Sequence, residues 1–182
     1  LVRLGRNKGI MHLVDEETRD FLLKGLGKDP DSYTAGGDCP NVMVSTALLG
    51  TPTAFSGKVG EDDFGRMYEE RLAETGVVSN LSFGAGKTGS SLILVSPDGE
   101  RTMNTYLGQC QHFGPDDVAR HLLMQAQALF VTGYFWDTPM QKDAMNHVLA
   151  MAEELDKTVI FDAADPFAVN RSKEDILWLL DK

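Results

Sequence analysis

The sequence predicts an α/β fold: an open, mostly parallel sheet flanked by helices, with a small β-hairpin standing outside the alternation. Three observations predict it. Short β-branched apolar runs alternate with longer segments of helical periodicity, the pattern of parallel crossover units. Acidic or hydroxyl residues mark the helix starts and glycines the helix ends. Two strand-like runs, 90–95 and 101–107, are joined by Pro97, Asp98, Gly99 and Glu100, a turn signal with no helix between them.

In chain order, Asp15, Glu16, Glu17 and Thr18 read as a helix start, with Phe21, Leu22 and Leu26 on one face and Gly25 and Gly27 ending it. Residues 28–33 read as a polar loop around Pro30. Ala35 to Asn41 runs a glycine pair into a second helix, with Pro40 in its first turn and Gly50 just past its end. Thr53 to Val59 reads as a short buried strand. Glu61, Asp62 and Asp63 open a third helix that turns Phe64, Met67, Tyr68 and Leu72 inward and closes at Gly76. Val77 to Phe83 is a further strand, followed by the hairpin. Gly114, Pro115, Asp116 and Asp117 start the next helix, and Leu129 to Tyr134 is a strand. Thr138 and Pro139 open a long helix ending near Leu155, and Val159 to Asp162 is a strand. Ser172 to Asp175 has the pattern of a capping box before the last helix. The methionines read as core. A hairpin that leaves a parallel sheet is suited to be a lid over the edge where ligands bind.

At 182 residues and 42% hydrophobic, the chain suits one core and one domain. A net charge of −10 repels phosphate backbones, so no nucleic-acid partner is expected. An anionic ligand would need local backbone donors rather than the global field. The two cysteines, Cys39 and Cys110, show no paired spacing and read as free thiols of a reducing, cytoplasmic compartment. No apolar run is long enough to span a membrane, and the basic first residues lack a signal-peptide core. The chain begins without Met and stops in or just after a helix, so both ends are expected to continue.

Three stretches stand in register. The first is Gly36, Gly37, Asp38, Cys39, Pro40 and Asn41, with Gly50 and Gly60 following. The second is Gly57, Lys58, Val59, Gly60, Glu61, Asp62, Asp63, Phe64 and Gly65. The third runs from Thr88 and Gly89 to Asp98, Gly99, Glu100, Arg101 and Thr102. Together they resemble the signatures of the PfkB (ribokinase-like) carbohydrate kinases: the glycine pair with its asparagine, the G-K-V-G-x-D-x-x-G stretch and the D-G-E-R-T lid hairpin. The resemblance covers nearly the whole chain. Met103 to Gly108, Gly133 to Phe135 and Asp165 to Phe167 look more like the adenosine-kinase-like branch than ribokinase itself.

The resemblance implies a ribokinase-like sheet over residues 1–182 with lid strands at about 88–108, as a partial domain without the C-terminal ATP-binding and catalytic part. For the complete form it implies transfer of the γ-phosphoryl of ATP, with Mg2+, to a hydroxymethyl group of an adenosine-like nucleoside or a ribose- or fructose-type sugar. The implied partners are that small molecule and ATP; family lids can also pair across a homodimer. Gly36, Gly37 and Asn41 are the expected substrate contacts. A glycine pair lets backbone approach a polyol, and a carboxamide offers both donors and an acceptor to vicinal hydroxyls. Ser91, Ile93, Asn104 and Tyr106 are the lid contacts to look for, and lid closure would exclude competing water. Cys39 and Met43 depart from the small residues the signature favours around its asparagine. No catalytic residue is expected here, because the G-A-G-D stretch with the family's base has no counterpart, nor does the first-strand aspartate that grips sugar hydroxyls.

Other readings stand beside this one. A non-catalytic sugar-binding fragment would have the same residues. Leu81 to Thr88 mimics a phosphate-binding P-loop, but Leu81 stands where glycine is required and a strand follows Thr88. Lys58, Asp62 and Arg101 read as structural or solvated charges, and Asp162 and Asp165 as turn-forming acids. The four histidines show no metal-ligand spacing.

Overall fold

The computed structural model describes residues 7–27 and 32–181. Most of the loop read over 28–33, and the first six basic-segment residues, lie outside them. The seven strands are β1 (Met11–Leu13), β2 (Ala54–Gly60), β3 (Val78–Gly84), β4 (Ser90–Val95), β5 (Arg101–Tyr106), β6 (Ala128–Thr132) and β7 (Thr158–Asp162). The helices are α1 (Glu16–Leu26), α2 (Asp38–Leu48), α3 (Asp63–Glu74), α4 (Arg120–Gln125), α5 (Pro139–Glu154), α6 (Pro166–Arg171) and α7 (Lys173–Leu180).

Parallel pairing dominates, as strands joined through helices require. β2 pairs with β3, β6 with β7, and β1 with β5, all parallel; the hairpin β4–β5 is antiparallel. Among the described residues the ladders form three groups, β1-β5-β4, β2-β3 and β6-β7. Helix α2 packs against both β2 and β6 and so bridges two of them. One core lies between β6–β7 and the C-terminal helices: Val131, Trp136, Met145 and Ile176 are buried together, with Phe161 and Val148 packed against them. Leu72, Val59 and Val77 are buried around α3.

Local capping explains the helix boundaries. Asp15, Asp62 and Thr138 each accept a backbone N–H three residues on, at 2.8, 2.9 and 3.2 Å. Gly27 ends α1 at φ 64°, whereas Gly25 lies inside the helix.

Several expectations are corrected. The segment after Gly114 is a 3-10 turn, Pro115–Asp117, and α4 starts only at Arg120. Strand β6 stops at Thr132, and Gly133–Trp136 is a 3-10 turn. Ser172 makes no capping hydrogen bond: it directly follows α6 at φ −118°, ψ 29°, away from the extended backbone a cap needs. Phe64 is 43% exposed and lies against Tyr33 instead of the core. Met145 and Met151 are core, but Met124 and Met140 are exposed. β1 and α6 are elements with no counterpart in the sequence reading.

Candidate functional site

The glycine pair is positioned from two sides. Gly37 is the N-cap of α2 at φ 115°, ψ 148°, a backbone conformation that essentially excludes a side chain. The Gly36 carbonyl accepts the Tyr68 hydroxyl of α3 at 2.9 Å. The Tyr68 ring lies 6.5 Å from that of Phe55 in β2, and burial pushes its hydroxyl pKa well up, so it remains a donor. Gly36, Gly37 and Asn41 are all exposed. Asn41 stands one turn into α2, its N–H donating to the Gly37 carbonyl at 3.1 Å. Its carboxamide has no hydrogen-bond partner among the described residues.

Asp38, between the pair and Asn41, is already engaged. It accepts the Cys39 N–H at 2.7 Å and the hydroxyl of Thr132, the last residue of β6. The C-terminal ends of β6 and β7 thus come to the start of α2, the position where open α/β sheets place ligands. Gly133 approaches the loop after β7 so closely that a Cβ would lie 2.6 Å from the Ala163 carbonyl oxygen. The Tyr134 hydroxyl donates to Asp165 at 2.9 Å; burial and that bond push its pKa up to about 12. Asp165 also caps α6 through the Ala168 N–H at 2.7 Å. Asp162 accepts the Ala164 N–H at 2.9 Å and shapes the turn in which Ala164 has φ 69°. Both acids therefore form turns and caps, as their sequence context suggests. The supporting roles of Asp38, Tyr68, Thr132 and Tyr134 have no local sequence signature, because each depends on a partner distant in the chain.

The lid candidates divide between two faces. In the β4–β5 register Ile93 lies opposite Met103 and Ser91 opposite Thr105, so these four share one face; Asn104 and Tyr106 point to the other. Ile93 is 46% exposed, and the Ser91 and Thr105 hydroxyls are 3.0 Å apart. Asn104 is fully buried, donating to the Leu92 carbonyl at 3.3 Å with its Oδ1 left unpartnered. The Tyr106 hydroxyl donates to Glu16 at 3.2 Å, and the Arg19 guanidinium lies 4.8 Å from its ring centroid. A single ligand on one face of the lid therefore does not touch all four. The signal was in the sequence: side chains alternate along a strand, and the turn at 97–100 sets which residues face each other.

In the second motif Gly60, Asp62 and Lys58 hold distant parts of the chain together. A Cβ on Gly60 would meet the Gly86 carbonyl oxygen at 2.3 Å. Asp62 caps α3 and accepts the Thr88 N–H at 2.9 Å and its hydroxyl at 2.5 Å, while Thr88 Oγ1 accepts the Gly60 N–H at 2.9 Å. Burial raises the Asp62 carboxyl, but the Thr88 and Gly65 donors outweigh it and leave the pKa below the ordinary value. Lys58 bonds both oxygens of Asp117, at 2.9 and 3.0 Å. Arg101 is exposed. β4 follows Thr88, so no helix N-terminus stands there to hold phosphates as a P-loop would. Cys39 and Cys110 are free; burial raises both thiols, Cys110 to about 11. Among the described residues no group of three or more His, Cys, Asp or Glu could hold a metal ion, and no helix is long and apolar enough to cross a membrane.

A bridging α2 with an N-terminal glycine pair, parallel strands ending beside it and an antiparallel hairpin outside them define a ribokinase-like α/β protein. The family described as pfkB family carbohydrate kinase matches residues 28–180, and the chain belongs to it. Adenosine kinase from Sinorhizobium meliloti superposes with a TM-score of 0.89 at 32% identity, covering 98% of this chain and 55% of its own. A probable sugar kinase from Rhizobium etli gives 0.89 at 31% identity, with 97% and 54% covered. Probable fructokinase-3 of Arabidopsis thaliana is 28% identical over 164 residues, 85% of this chain and 48% of the relative. The chain spans about half the length of these relatives.

Proposed function

We propose that this chain is the acceptor-binding part of an ATP-dependent kinase that phosphorylates a hydroxymethyl group of a sugar or nucleoside. One observation carries the reading: Gly36 and Gly37, held by Tyr68, stand exposed at the start of α2 beside an exposed, unpartnered Asn41. With no Cβ intervening, a polyol reaches the backbone there, and the Asn41 carboxamide both donates to and accepts from vicinal hydroxyls. Ser91 and Ile93, on the exposed lid face, are assigned as further contacts. Asn104 and Tyr106 are assigned to holding the lid together from behind. Covering the acceptor would exclude water, which otherwise competes for the phosphoryl group.

The base that deprotonates the acceptor and the nucleotide pocket are assigned to sequence outside these 182 residues, since Asp38, Asp162 and Asp165 are each committed to caps, turns or hydroxyl donors. Mg2+ is assigned to the ATP phosphates, since it is held mainly by phosphate and water oxygens with one or two carboxylates. The likeness at 32% identity to an adenosine kinase supports a nucleoside acceptor, and that at 28% to a probable fructokinase supports a furanose sugar. Both present a primary hydroxyl beside vicinal hydroxyls.

Calorimetric titration of the protein with adenosine and with fructose, without ATP, tests the reading. One of them binds, and Asn41→Ala weakens it about tenfold or more, the loss of bonds to a polar ligand. No binding, or binding indifferent to Asn41→Ala, overturns it. ADP formation by a polypeptide of these residues alone, 20.0 kDa, would overturn the assignment of the base.

A further inference from the structure

We propose that Lys87 is a latch: it ties the lid sheet and α1, which move as one body, to the rest of the protein through Glu16 and Asp20.

Two segments join the hairpin to the body, and a third, residues 27–37, leads from α1 to α2. Residues 84–89 lead into β4, and 106–108 lead out of β5. They cross backbone to backbone at Gly89 and Gly108, with the Gln109 side chain packed against Gly84 and Gly86. A Cβ on Gly89 would lie 2.5 Å from the Leu107 carbonyl oxygen, and one on Gly108 2.4 Å from the Lys87 carbonyl oxygen. The Gln109 N–H donates to that same carbonyl at 2.9 Å. Such a crossing, narrow and made mostly of backbone, is a place where the hairpin can pivot.

Each side of the pivot is anchored differently. Thr88 belongs to the body: its hydroxyl and N–H are held by Asp62, and its oxygen accepts from Gly60. Helix α1 belongs to the lid. It follows β1 after only Val14 and Asp15, β1 pairs with β5, and the Val14 N–H donates to the Thr105 carbonyl at 2.9 Å. The contacts of Tyr106 with Glu16 and Arg19 hold α1 against β5 from within the same unit.

Lys87 reaches from the body-anchored segment to this unit. Its Nζ lies 2.6 Å from Glu16 and 3.5 Å from Asp20, one turn apart on α1. Asp20 also bonds Arg19 at 2.6 Å, and Arg19, Glu16, Asp20 and Lys87 are the charged groups gathered at this junction. Swinging the lid about the crossing pulls Glu16 and Asp20 away from Lys87, whose backbone Thr88 restrains, while the Tyr106 contacts travel with the lid. The Lys87 and Glu16 side chains are each 46% exposed, so these contacts are weak and screened by salt, as a latch that must release requires. Lys87 is the lysine of the P-loop-like stretch; this geometry gives it a positioning role instead. That this hairpin is a lid, and what it covers, rest on the kinase reading; the ion pairs and the crossing do not.

The test is a lid-to-body distance distribution, measured by spin labels or fluorophores on Val95→Cys in β4 and Glu70→Cys in α3, with no acceptor or ATP present. Both positions are exposed, and the partly covered native thiols, with raised pKa values, are replaced by Cys39→Ala and Cys110→Ala before labelling. The parent protein at low salt gives one dominant distance. Lys87→Met raises a second population a few-fold, Lys87→Arg restores the parent distribution, and salt of about 0.5 M reproduces the Lys87→Met result in the parent by screening. In Lys87→Met, added salt changes little. An unchanged distribution in Lys87→Met, or an equal salt response with and without the lysine, overturns the latch. Because no ligand is present, either failure leaves the kinase reading standing.

Discussion

Gly37 sets the start of α2, and Asp62 ties α3 to Thr88. At φ 115° a Cβ on Gly37 strains the backbone and also meets Pro40 at 3.2 Å. Gly37→Ala is expected to cost about 1–3 kcal/mol, read as a lower denaturation midpoint at unchanged slope. Asp62 closes the start of α3 and fastens Thr88 of the lid junction to it. Asp62→Ala is expected to lower stability by about 1–2 kcal/mol. Its native pKa lies below the ordinary value, so the unfolded chain takes up the proton first as pH falls. The stabilisation is full above about pH 4 and is lost as pH drops through the lowered native value. Unfolding midpoints measured down the acid range should therefore fall more steeply in the parent than in Asp62→Ala.

Pairs of elements are joined by similarly few contacts. Lys58 of β2 and Asp117 of the 3-10 turn form a mostly buried ion pair, with 19% and 12% of the side chains exposed. Asp117 keeps the Gly114 N–H at 2.8 Å when the lysine is lost, but not a countercharge. Lys58→Met is expected to destabilise by about 2–4 kcal/mol, because a carboxylate is left buried without its cation. Thermal melts would show it, and Lys58→Met with Asp117→Asn should recover part of the loss. The two faces of the lid differ in the same experiment. Asn104→Ala removes a fully buried side chain and its bond to Leu92, and is expected to cost about 1–3 kcal/mol. Ile93→Ala, on the exposed face, should stay within about 1 kcal/mol in stability and act instead on acceptor affinity. Loss of acceptor binding from Asn104→Ala at full stability would reverse this assignment.

Taken as a whole, the molecule joins its main apolar core to the candidate site through β6, where Val131 is core and the Thr132 hydroxyl bonds Asp38. Met145, with 1% exposure, packs with Val131, Trp136 and Ile176 between β6–β7 and the C-terminal helices. Met145→Ala is expected to cost about 2–5 kcal/mol through the lost burial and the cavity it leaves. Acceptor affinity of the folded fraction should change little, since the glycine pair is held by Tyr68 and Asp38 by Thr132, none of them bonded to Met145. A parallel loss of affinity would mean that this core positions the glycine pair.

What was legible in the residues is what local chemistry decides. Asp15, Asp62 and Thr138 announce their helices because a cap acts across three residues, and Gly27, Gly50 and Gly76 end theirs because only glycine takes φ of 64°, 93° and 80° without cost. The hairpin was equally plain, since Ser96, Gly99 and Glu100 bond one another within the turn. The spacing of three motifs was enough to find the family. Contacts that close over many residues left no such mark. β1 is three residues long and exists because β5, some ninety positions later, supplies its hydrogen bonds. Asp38 reads as a first-turn acid, but its partner Thr132 is fixed by where β6 ends. Tyr106 reads in the sequence as a candidate ligand contact, and nothing local announces that α1 packs against it with Glu16 and Arg19. Short-range capping and strand alternation are set by neighbours in sequence, whereas which groups remain free for a ligand depends on which are used up by the packed chain.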